Sequence, residues 1–318
     1  MMPCPALDEF QIGWICALPI EAAAAQEIFD ETFGALEEQD DADSNIYTLG
    51  RIGRHYVVLT CLGGNYGMTS ATTAANHMTR TFSKSLRIGL LVGIGGGIPS
   101  AAHDMRLGDI VVSHPTGTCG GVIQCHVGKI ERDGKLIRTG SLNSPPRLLL
   151  AAAAQMRAAE LTDDPCYPSY IEEIIQRSSR TRQTFCRPSQ ESDRLFHSQY
   201  EHPTGEATCE GCSAEREVER EERHHEPLPH YGIIASGNII KHGGTRDRIQ
   251  RETGALCFEM EATGLMIGSI AGIYYFSSCL LRQRIARIRT SWPGVARREI
   301  GGYLQNTDWG AQRQKAQK

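Results

Sequence analysis

The sequence RIGLLVGIGGGIP occupies residues 87–99 and decides the expected fold class more than any other stretch. It begins with an apolar run of strand length and ends with four glycines within five residues. A buried parallel strand that ends in glycines presents backbone N–H groups to a ligand, because no side chain blocks the approach. We therefore expect a site for a phosphate or for sugar hydroxyls beside these glycines. A tight turn between this strand and the next element is the alternative interpretation.

The same stretch does not match the fingerprint of a dinucleotide site, in which G-x-G-x-x-G opens a helix. Pro99 and a polar stretch through Asp109 follow the glycines, where that helix would have to begin. The flanking sequence alternates strands and helices. Residues 11–18, 55–62 and 108–113 have the length and apolar composition of buried strands, and helical segments follow the first two. This alternation predicts an α/β fold with a mostly parallel sheet covered on both faces.

Composition places the chain in the globular class and excludes one class of partner. With 318 residues, 40% of them hydrophobic and 22% charged, the chain is long enough for one large α/β domain with an insertion. Its net charge of −4 provides no basic surface for a nucleic acid polymer. Eleven scattered cysteines, an odd number, predict reduced thiols and a cytoplasmic or otherwise intracellular location. No signal peptide is expected, because Glu21 interrupts the first apolar run and no basic segment precedes that run.

Glu21 stands where the first predicted strand passes into a helix. Pro19 suits the first turn of that helix, and a carboxylate beside it complements the positive end of the helix dipole. In a parallel sheet this junction lies at the carboxyl edge of the strands, where ligands bind. Glu21 is therefore either part of a site or a simple electrostatic partner of the helix.

Two carboxylates in an apolar segment give the strongest sign of a site. Glu259 and Glu261 lie in the sequence ALCFEMEATG of residues 255–264, so both should face the same side of a predicted strand. Two buried carboxylates on one face are costly without partners. The hydroxyls of a polyol such as ribose, or backbone N–H groups, would supply the missing hydrogen bonds.

Residues 161–229 differ from the rest of the chain in being polar and rich in Arg, Glu and Ser. They predict a solvent-exposed insertion loop without a metal. Cys209 and Cys212 nevertheless have the C-x-x-C spacing of a zinc site, which is the alternative interpretation. The second ligand pair would be His224 with His225, or Cys186 with His202.

Five segments occur in this order: CALPIE (16–21), GIGGGIP (93–99), LGDIVVS (107–113), SGN (236–238) and FEMEA (258–262). Together they resemble the nucleoside phosphorylase and nucleosidase superfamily, and within it the fungal branch related to methylthioadenosine and S-adenosylhomocysteine nucleosidases. In that branch such domains often head larger receptor-like proteins. The resemblance implies a single domain over residues 10–266 with a central mixed, twisted sheet flanked by helices. It also implies a homo-oligomer.

The resemblance assigns roles to individual residues. Glu261 would hold the 2′ and 3′ hydroxyls of ribose, and Met260 would pack against the sugar. Glu259 would support the strand. Ser236 and Asn238 would lie near the base pocket.

The resemblance also implies an activity, which is cleavage of the N-glycosidic bond of a purine nucleoside or nucleotide. Gly95, Gly96 and Gly97 would border the anion or water site below the anomeric carbon. Glu21 matches the carboxylate that activates the attacking water in the nucleosidases, and for this reason we favour hydrolysis over phosphorolysis. No cofactor is implied. Inorganic phosphate would be a co-substrate of a phosphorylase, whose phosphate-binding arginines we cannot place in this sequence.

The resemblance ends after Met266. The family would continue into a strand and an aspartate-containing motif that supplies the general acid for the purine, whereas the next aspartate here is Asp308. We assign no catalytic aspartate and treat residues 267–318 as an atypical tail. A retained intron or shifted frame would explain this tail, and so would divergence to a nucleoside-binding or signalling module without catalysis. The uncharged residues 263–281 could also form a marginal membrane anchor, although a core helix is the simpler interpretation and no membrane is expected.

Overall fold

The centre of the structure is a mixed sheet in which the glycine-rich strand lies between two parallel neighbours. The computed structural model describes residues 4–36, 38–125, 128–130, 136–163, 167–186, 190–203, 209–223, 227–237, 243–267 and 273–279. The strands are β1 (Ile12–Cys16), β2 (Glu31–Thr32), β3 (Tyr47–Ile52), β4 (His55–Cys61), β5 (Ile88–Gly97), β6 (Ile110–Ser113), β7 (Val122–Gln124), β8 (Gly128–Ile130), β9 (Leu136–Arg138), β10 (Pro229–Gly232), β11 (Ile234–Ser236), β12 (Cys257–Glu259) and β13 (Ile273–Cys279). The helices are α1 (Pro19–Ile28), α2 (Met68–Thr81), α3 (Arg147–Glu160), α4 (Tyr167–Gln176), α5 (Ser179–Phe185), α6 (Gly243–Thr253) and α7 (Ala262–Ile267).

Strand order confirms the predicted α/β fold with a central mixed sheet. Strand β5 pairs in parallel with β1 on one side and with β13 on the other, and β1 pairs in parallel with β4. Antiparallel pairs of β13 with β6 and of β3 with β4 complete the order β10-β6-β13-β5-β1-β4-β3-β2. A second group of short strands, β7, β11 and β12, continues from the far end of β5.

Apolar residues of β1 point alternately into two cores, one on each face of the sheet. Trp14 and Cys16 belong to the core that α1 and α3 cover, whereas Ile15 belongs to the core that α2 and α7 cover. Because both faces are covered, the central strands are apolar along their whole length. A ligand can therefore reach these strands only at an edge of the sheet, which is where parallel α/β sheets bind their ligands.

The glycines at the end of β5 belong to the strand itself, so the alternative interpretation of a tight turn at these residues is wrong. Gly95 pairs with Cys279 of β13, while Gly96 and Gly97 pair with β12. A Cβ atom on Gly96 would lie 2.3 Å from the ring of Phe258. At its far end β5 passes from the main sheet to the second group of strands, beneath the ring of Phe258. A glycine is needed at Gly96 because a side chain there would collide with this ring.

The sheet continues beyond Met266. Helix α7 ends at Ile267, and β13 then inserts between β5 and β6. The uncharged stretch 263–281 thus begins in the buried helix α7, as the simpler interpretation expected, and continues into a strand. Within the described part of the chain, no helix is long and apolar enough to cross a bilayer. Residues 280–318 lie outside the described ranges, and each explanation of the tail stays a prediction.

The polar insertion is more than a solvent-exposed loop. Helices α4 and α5 lie within it, and both Ile174 and Phe185 are buried in the core beneath α1 and α3. Ser178 begins α5 by accepting a hydrogen bond from the Thr181 backbone N–H at 3.0 Å. The first part of the insertion therefore adds a layer to the domain.

Gly264 sets the distance between α7 and α2. A Cβ atom there would lie 2.1 Å from the backbone carbonyl oxygen of Met68, which cannot turn aside as a side chain could. We expect Gly264→Ala to lower the free energy of unfolding by roughly 2 kcal/mol or more, because the two helices must separate. Chemical denaturation measures this change. The control is Gly244→Ala in α6, where a Cβ atom meets nothing within 4 Å and stability should be equal or slightly higher. Equal stability of wild type and Gly264→Ala would contradict the close helix contact.

Candidate active site

Glu21 lies at the carboxyl edge of the sheet, where β1 passes into α1 and β5 runs alongside. Its Oε2 atom accepts hydrogen bonds from the backbone N–H groups of Ala17 (2.8 Å) and Leu18 (2.9 Å). Its Oε1 atom accepts one from the backbone N–H of Ile94 in β5 (2.7 Å). A glutamate in the first turn of a helix commonly bonds the N–H group that precedes the helix, so the local sequence fixes most of this geometry.

Three backbone N–H groups are the donors to Glu21 among the described residues. A carboxylate oxygen accepts about two hydrogen bonds, so Oε2 is saturated and Oε1 keeps one position. A Cβ atom on Gly93 would lie 2.9 Å from Oε1, so the buried carboxylate of Glu21 packs directly against this glycine. Burial raises the pKa of Glu21 to about 7 against the effect of the backbone N–H groups, and the charge of Glu261 adds to the rise. Glu21 can therefore exchange a proton near neutral pH.

Glu259 ends β12 and caps helix α7. Its Oε2 atom accepts the backbone N–H groups of Glu261 (2.7 Å) and Ala262 (2.8 Å), and its buried Oε1 atom has no hydrogen-bond partner among the described residues. Burial, followed by the charge of Glu261, raises the pKa of Glu259 to about 7, while the hydroxyl of Ser236 acts in the opposite direction. Backbone N–H groups thus stabilise this carboxylate. They were one of the two kinds of donor expected from the sequence, the other being the hydroxyls of a polyol.

Glu261 does not share a strand face with Glu259, so that prediction is wrong. Strand β12 ends at Glu259, and the turn that leads into α7 carries Glu261 in a new direction. There the Oε1 atom of Glu261 accepts a hydrogen bond from the backbone N–H of Gly67 (3.0 Å), and its Oε2 atom accepts one from Met260 (3.3 Å). Burial raises the pKa of Glu261, and these two N–H groups oppose the rise.

Two large apolar side chains near Glu261 remain exposed. Met260, which directly precedes Glu261, is 40% exposed. Tyr66 is 49% exposed and directly precedes Gly67, whose backbone N–H donates to Glu261. Apolar and aromatic surface beside a few polar groups is the usual lining of a small-molecule site. Sequence reasoning missed the contribution of Tyr66 and Gly67. These residues follow the predicted strand 55–62, but no local signal links them to a carboxylate 194 residues away.

The structure places Ser236, Cys209 and Cys212 of the predicted site residues that remain. Ser236 is buried, and its hydroxyl accepts the backbone N–H of Thr263 at 3.0 Å, so it supports α7. Asn238 lies outside the described residues. Cys209 and Cys212 are buried in the insertion, near His202.

Sequence reasoning also missed a second buried carboxylate system, centred on Asp109. This side chain is completely buried and accepts hydrogen bonds from both terminal nitrogens of Arg223, from His230 Nε2 and from the backbone N–H groups of Arg106 and Leu228. Burial alone would raise the pKa of Asp109, but the hydrogen bonds from His230 and Arg223 outweigh it and lower the pKa. Because its acceptor positions are used by the protein, Asp109 has a structural role.

The sheet order defines an α/β fold that several solved nucleosidase structures share. Futalosine hydrolase of Helicobacter pylori superposes with a TM-score of 0.56 at 12% identity, over 94% of this chain and 99% of that one. S-adenosylhomocysteine nucleosidase from Streptococcus pyogenes, in complex with 5-methylthiotubericidin, gives 0.55 at 13% identity over 95% and 99%. A putative 5′-methylthioadenosine/S-adenosylhomocysteine nucleosidase from Borrelia burgdorferi, bound to adenine, gives 0.55 at 13% identity over 93% and 100%. Identities this low show a common fold and nothing finer.

Sequence comparison adds a relative of a different description. A nucleotide-binding leucine-rich repeat (NLR)-like protein of the fungus Hyaloscypha variabilis is 46% identical over 268 residues, which are 83% of this chain. Those residues make up 26% of the relative, so this chain spans about a quarter of its length. No protein-family model matches the chain.

Proposed function

We propose that this chain hydrolyses the N-glycosidic bond of a purine nucleoside or nucleotide. One observation carries the proposal: Glu21, whose pKa is raised to about 7, lies near Glu261 at the carboxyl edge of the sheet, and one acceptor position of its Oε1 atom has no donor among the described residues. The fold of the solved nucleosidases supports the reaction class.

The chemistry follows from the charges at this edge. Breaking an N-glycosidic bond builds positive charge on the ribose ring, and a carboxylate close to the ring stabilises that charge. In the proposed reaction Glu261 accepts hydrogen bonds from ribose hydroxyls and supplies this negative charge. Glu21 takes a proton from water through its Oε1 atom, and the hydroxide equivalent attacks the anomeric carbon while the bond from that carbon to the purine nitrogen breaks. The purine leaves with the bonding electron pair and takes a proton from solvent water, because no side chain is assigned as its general acid. Met260 and Tyr66 offer apolar surface to the sugar and the base.

Hydrolysis fits the site better than phosphorolysis does. A phosphate needs cationic side chains or several free N–H groups to balance its charge. No phosphate-binding arginine is assigned in the sequence, and the backbone of Gly95, Gly96 and Gly97 is engaged in strand pairing. Inorganic phosphate as a co-substrate is therefore the weaker proposal.

Release of free base tests the activity. Purified chain is incubated with a panel of purine nucleosides and nucleotides, with and without phosphate, and the products are separated by chromatography. Base released in both conditions supports the proposal, whereas release only with phosphate would establish phosphorolysis. No release from protein with a cooperative unfolding transition would contradict the proposed activity.

A second candidate function is nucleoside binding without catalysis. Two observations favour it: no aspartate or glutamate occurs between Ala262 and Arg298, and the fungal relative is an NLR-like protein. Without an acid to protonate the departing purine, the site would bind the nucleoside but not cleave it. A rise in the melting temperature with nucleoside, and no base released over many hours, would support this function.

The proposed role of Glu21 predicts a pH dependence. Protonated Glu21 cannot accept a proton from water, so kcat/KM should rise with pH and level off above the raised pKa of about 7. Glu21→Gln should lower kcat by roughly 10²–10⁴-fold and abolish this rise. Glu27→Gln, on the same helix and with the same change of charge, is the control and should keep both. A pH profile of Glu21→Gln that matches wild type would remove Glu21 from the mechanism.

A further inference from the structure

The described residues in the second part of the insertion bury little apolar surface of their own. Among the described residues of 190–203 and 209–223, the buried apolar side chains are those of Cys209 and Cys212, each 7% exposed. Backbone pairing joins the two ends of this segment, with Phe196 opposite Glu217. Segments that cannot bury enough apolar surface usually need a disulfide or a metal to fold, and neither cysteine forms a disulfide in this structure.

The two thiols and one imidazole converge at this point. One potential ligand atom from each of His202, Cys209 and Cys212 lies within 4.8 Å of the other two. Around a tetrahedral zinc ion with bonds of about 2.0–2.3 Å, neighbouring ligand atoms lie roughly 3.5–4 Å apart. A small contraction would therefore close the three side chains around one ion.

The surroundings of the three side chains suit zinc ligation. The Nδ1 atom of His202 lies 3.0 Å from the carbonyl oxygen of Pro203, and this hydrogen bond would leave Nε2 as the ligand atom. The backbone N–H of Cys212 donates to the carbonyl oxygen of Cys209 at 3.2 Å, which makes the tight turn that C-x-x-C ligand pairs require. Arg194 donates to the same carbonyl oxygen at 2.6 Å and places a positive charge near the thiols.

We propose that His202, Cys209 and Cys212 bind a structural Zn²⁺ ion. Binding converts both thiols to thiolates with release of two protons, the imidazole binds as the neutral form, and a fourth ligand completes the tetrahedron. The sequence left open which residues would join Cys209 and Cys212 as ligands, and the structure places His202 beside them. Cys186 is not part of the convergent group, and His224 and His225 lie outside the described residues.

The ion would stabilise a segment that also holds the domain together. Arg220 pairs with Asp193 at 3.1 Å within the segment, and Arg223 pairs with the buried Asp109 at 2.6 Å. Zinc would thus order the chain that delivers Arg223 to its partner. This role is independent of the proposed hydrolysis.

Metal analysis of the full chain is the direct test. Protein expressed with zinc and purified without chelators should contain about one Zn²⁺ per chain, and Cys209→Ser/Cys212→Ser should bind zinc at least roughly 10-fold more weakly. His202→Asn should weaken binding too, whereas His197→Asn and Cys186→Ser, matched changes in the same insertion, should not. Co²⁺ in place of Zn²⁺ should give thiolate charge-transfer bands in wild type and lose them in the double variant.

A measurement on wild type alone avoids the risk that a variant fails to fold. Removal of zinc with a chelator should speed amide hydrogen exchange in residues 190–203 and 209–223 and leave β5 protected. The proposal would be overturned if wild-type protein contained no bound zinc after dialysis against ZnCl₂. It would also be overturned if removal of zinc by the chelator left the rate of amide hydrogen exchange in these residues unchanged. A Cys209–Cys212 disulfide in the native protein, seen as a loss of two hydrogens in its mass, would also overturn it.

Discussion

Asp109→Ala is expected to lower the free energy of unfolding by about 3–5 kcal/mol. The substitution leaves the guanidinium group of Arg223, itself mostly buried, without its bidentate partner, and removes the acceptor for His230. The backbone N–H groups of Arg106 and Leu228 lose theirs as well. Since a domain is stable by only about 5–15 kcal/mol, denaturant unfolding at pH 7 should show a large shift of the midpoint.

The matched control is Asp104→Ala. The Asp104 side chain is 42% exposed and pairs with Arg106 and Arg220, so its loss should cost about 0–1 kcal/mol. In a double-mutant cycle, Arg223→Ala should cost much less in the Asp109→Ala background than in wild type. Additive losses would show that Asp109 and Arg223 do not interact in solution.

The same pair predicts a dependence of stability on pH. The pKa of Asp109 is lowered from its ordinary value of 3.8, so the folded protein binds fewer protons than the unfolded chain near that pH. Its stabilising contribution is present above the ordinary value and is lost as the pH falls through the folded pKa. The difference in stability between wild type and Asp109→Ala should accordingly be full at pH 7 and shrink in acid.

Glu261→Gln is expected to lower kcat/KM for base release by roughly 10²–10³-fold, if the proposed hydrolysis is correct. Glutamine still accepts the hydrogen bond from the Gly67 N–H, so the turn before α7 should keep its shape. What is lost is the negative charge that stabilises the developing positive charge on ribose. Steady-state kinetics at saturating and limiting substrate should place most of the loss in kcat.

Glu252→Gln on α6 is the control, since it removes the charge of an exposed glutamate and should leave the kinetics unchanged. The melting temperature of Glu261→Gln should stay close to that of wild type, because burial already penalises the ionised form of Glu261. Unchanged kcat/KM in a folded Glu261→Gln protein would show that Glu261 does not act on the ribose.

The strands and helices that organise the sheet could be predicted from the sequence because short-range patterns encode them. The apolar run of β5 and the helix that begins at Pro19 both follow from residue periodicity and from capping chemistry. Glu21 was placed at the strand–helix junction for the same reason, since its hydrogen bonds to Ala17 and Leu18 lie within one helical turn.

The sequence-based predictions were wrong where contacts between distant segments decide the local structure. The sequence shows that Gly96 lacks a side chain, but only the approach of Phe258 explains the lack. Likewise the E-x-E pattern predicts two carboxylates on one face, yet capping of α7 by Glu259 ends the strand and turns Glu261 toward Gly67. A capping glutamate and a strand glutamate look alike in sequence.

By itself the sequence determined the α/β class, the position of β5 and the location of Glu21 at the carboxyl edge of the sheet. Only the tertiary structure decided that β13 completes the sheet, that Asp109 pairs with Arg223, and that His202 joins Cys209 and Cys212. The physical reason is the range of the interactions. Helix capping and strand periodicity act within a few residues, whereas pairing between distant segments depends on which surfaces are buried against each other, and no local pattern records that choice.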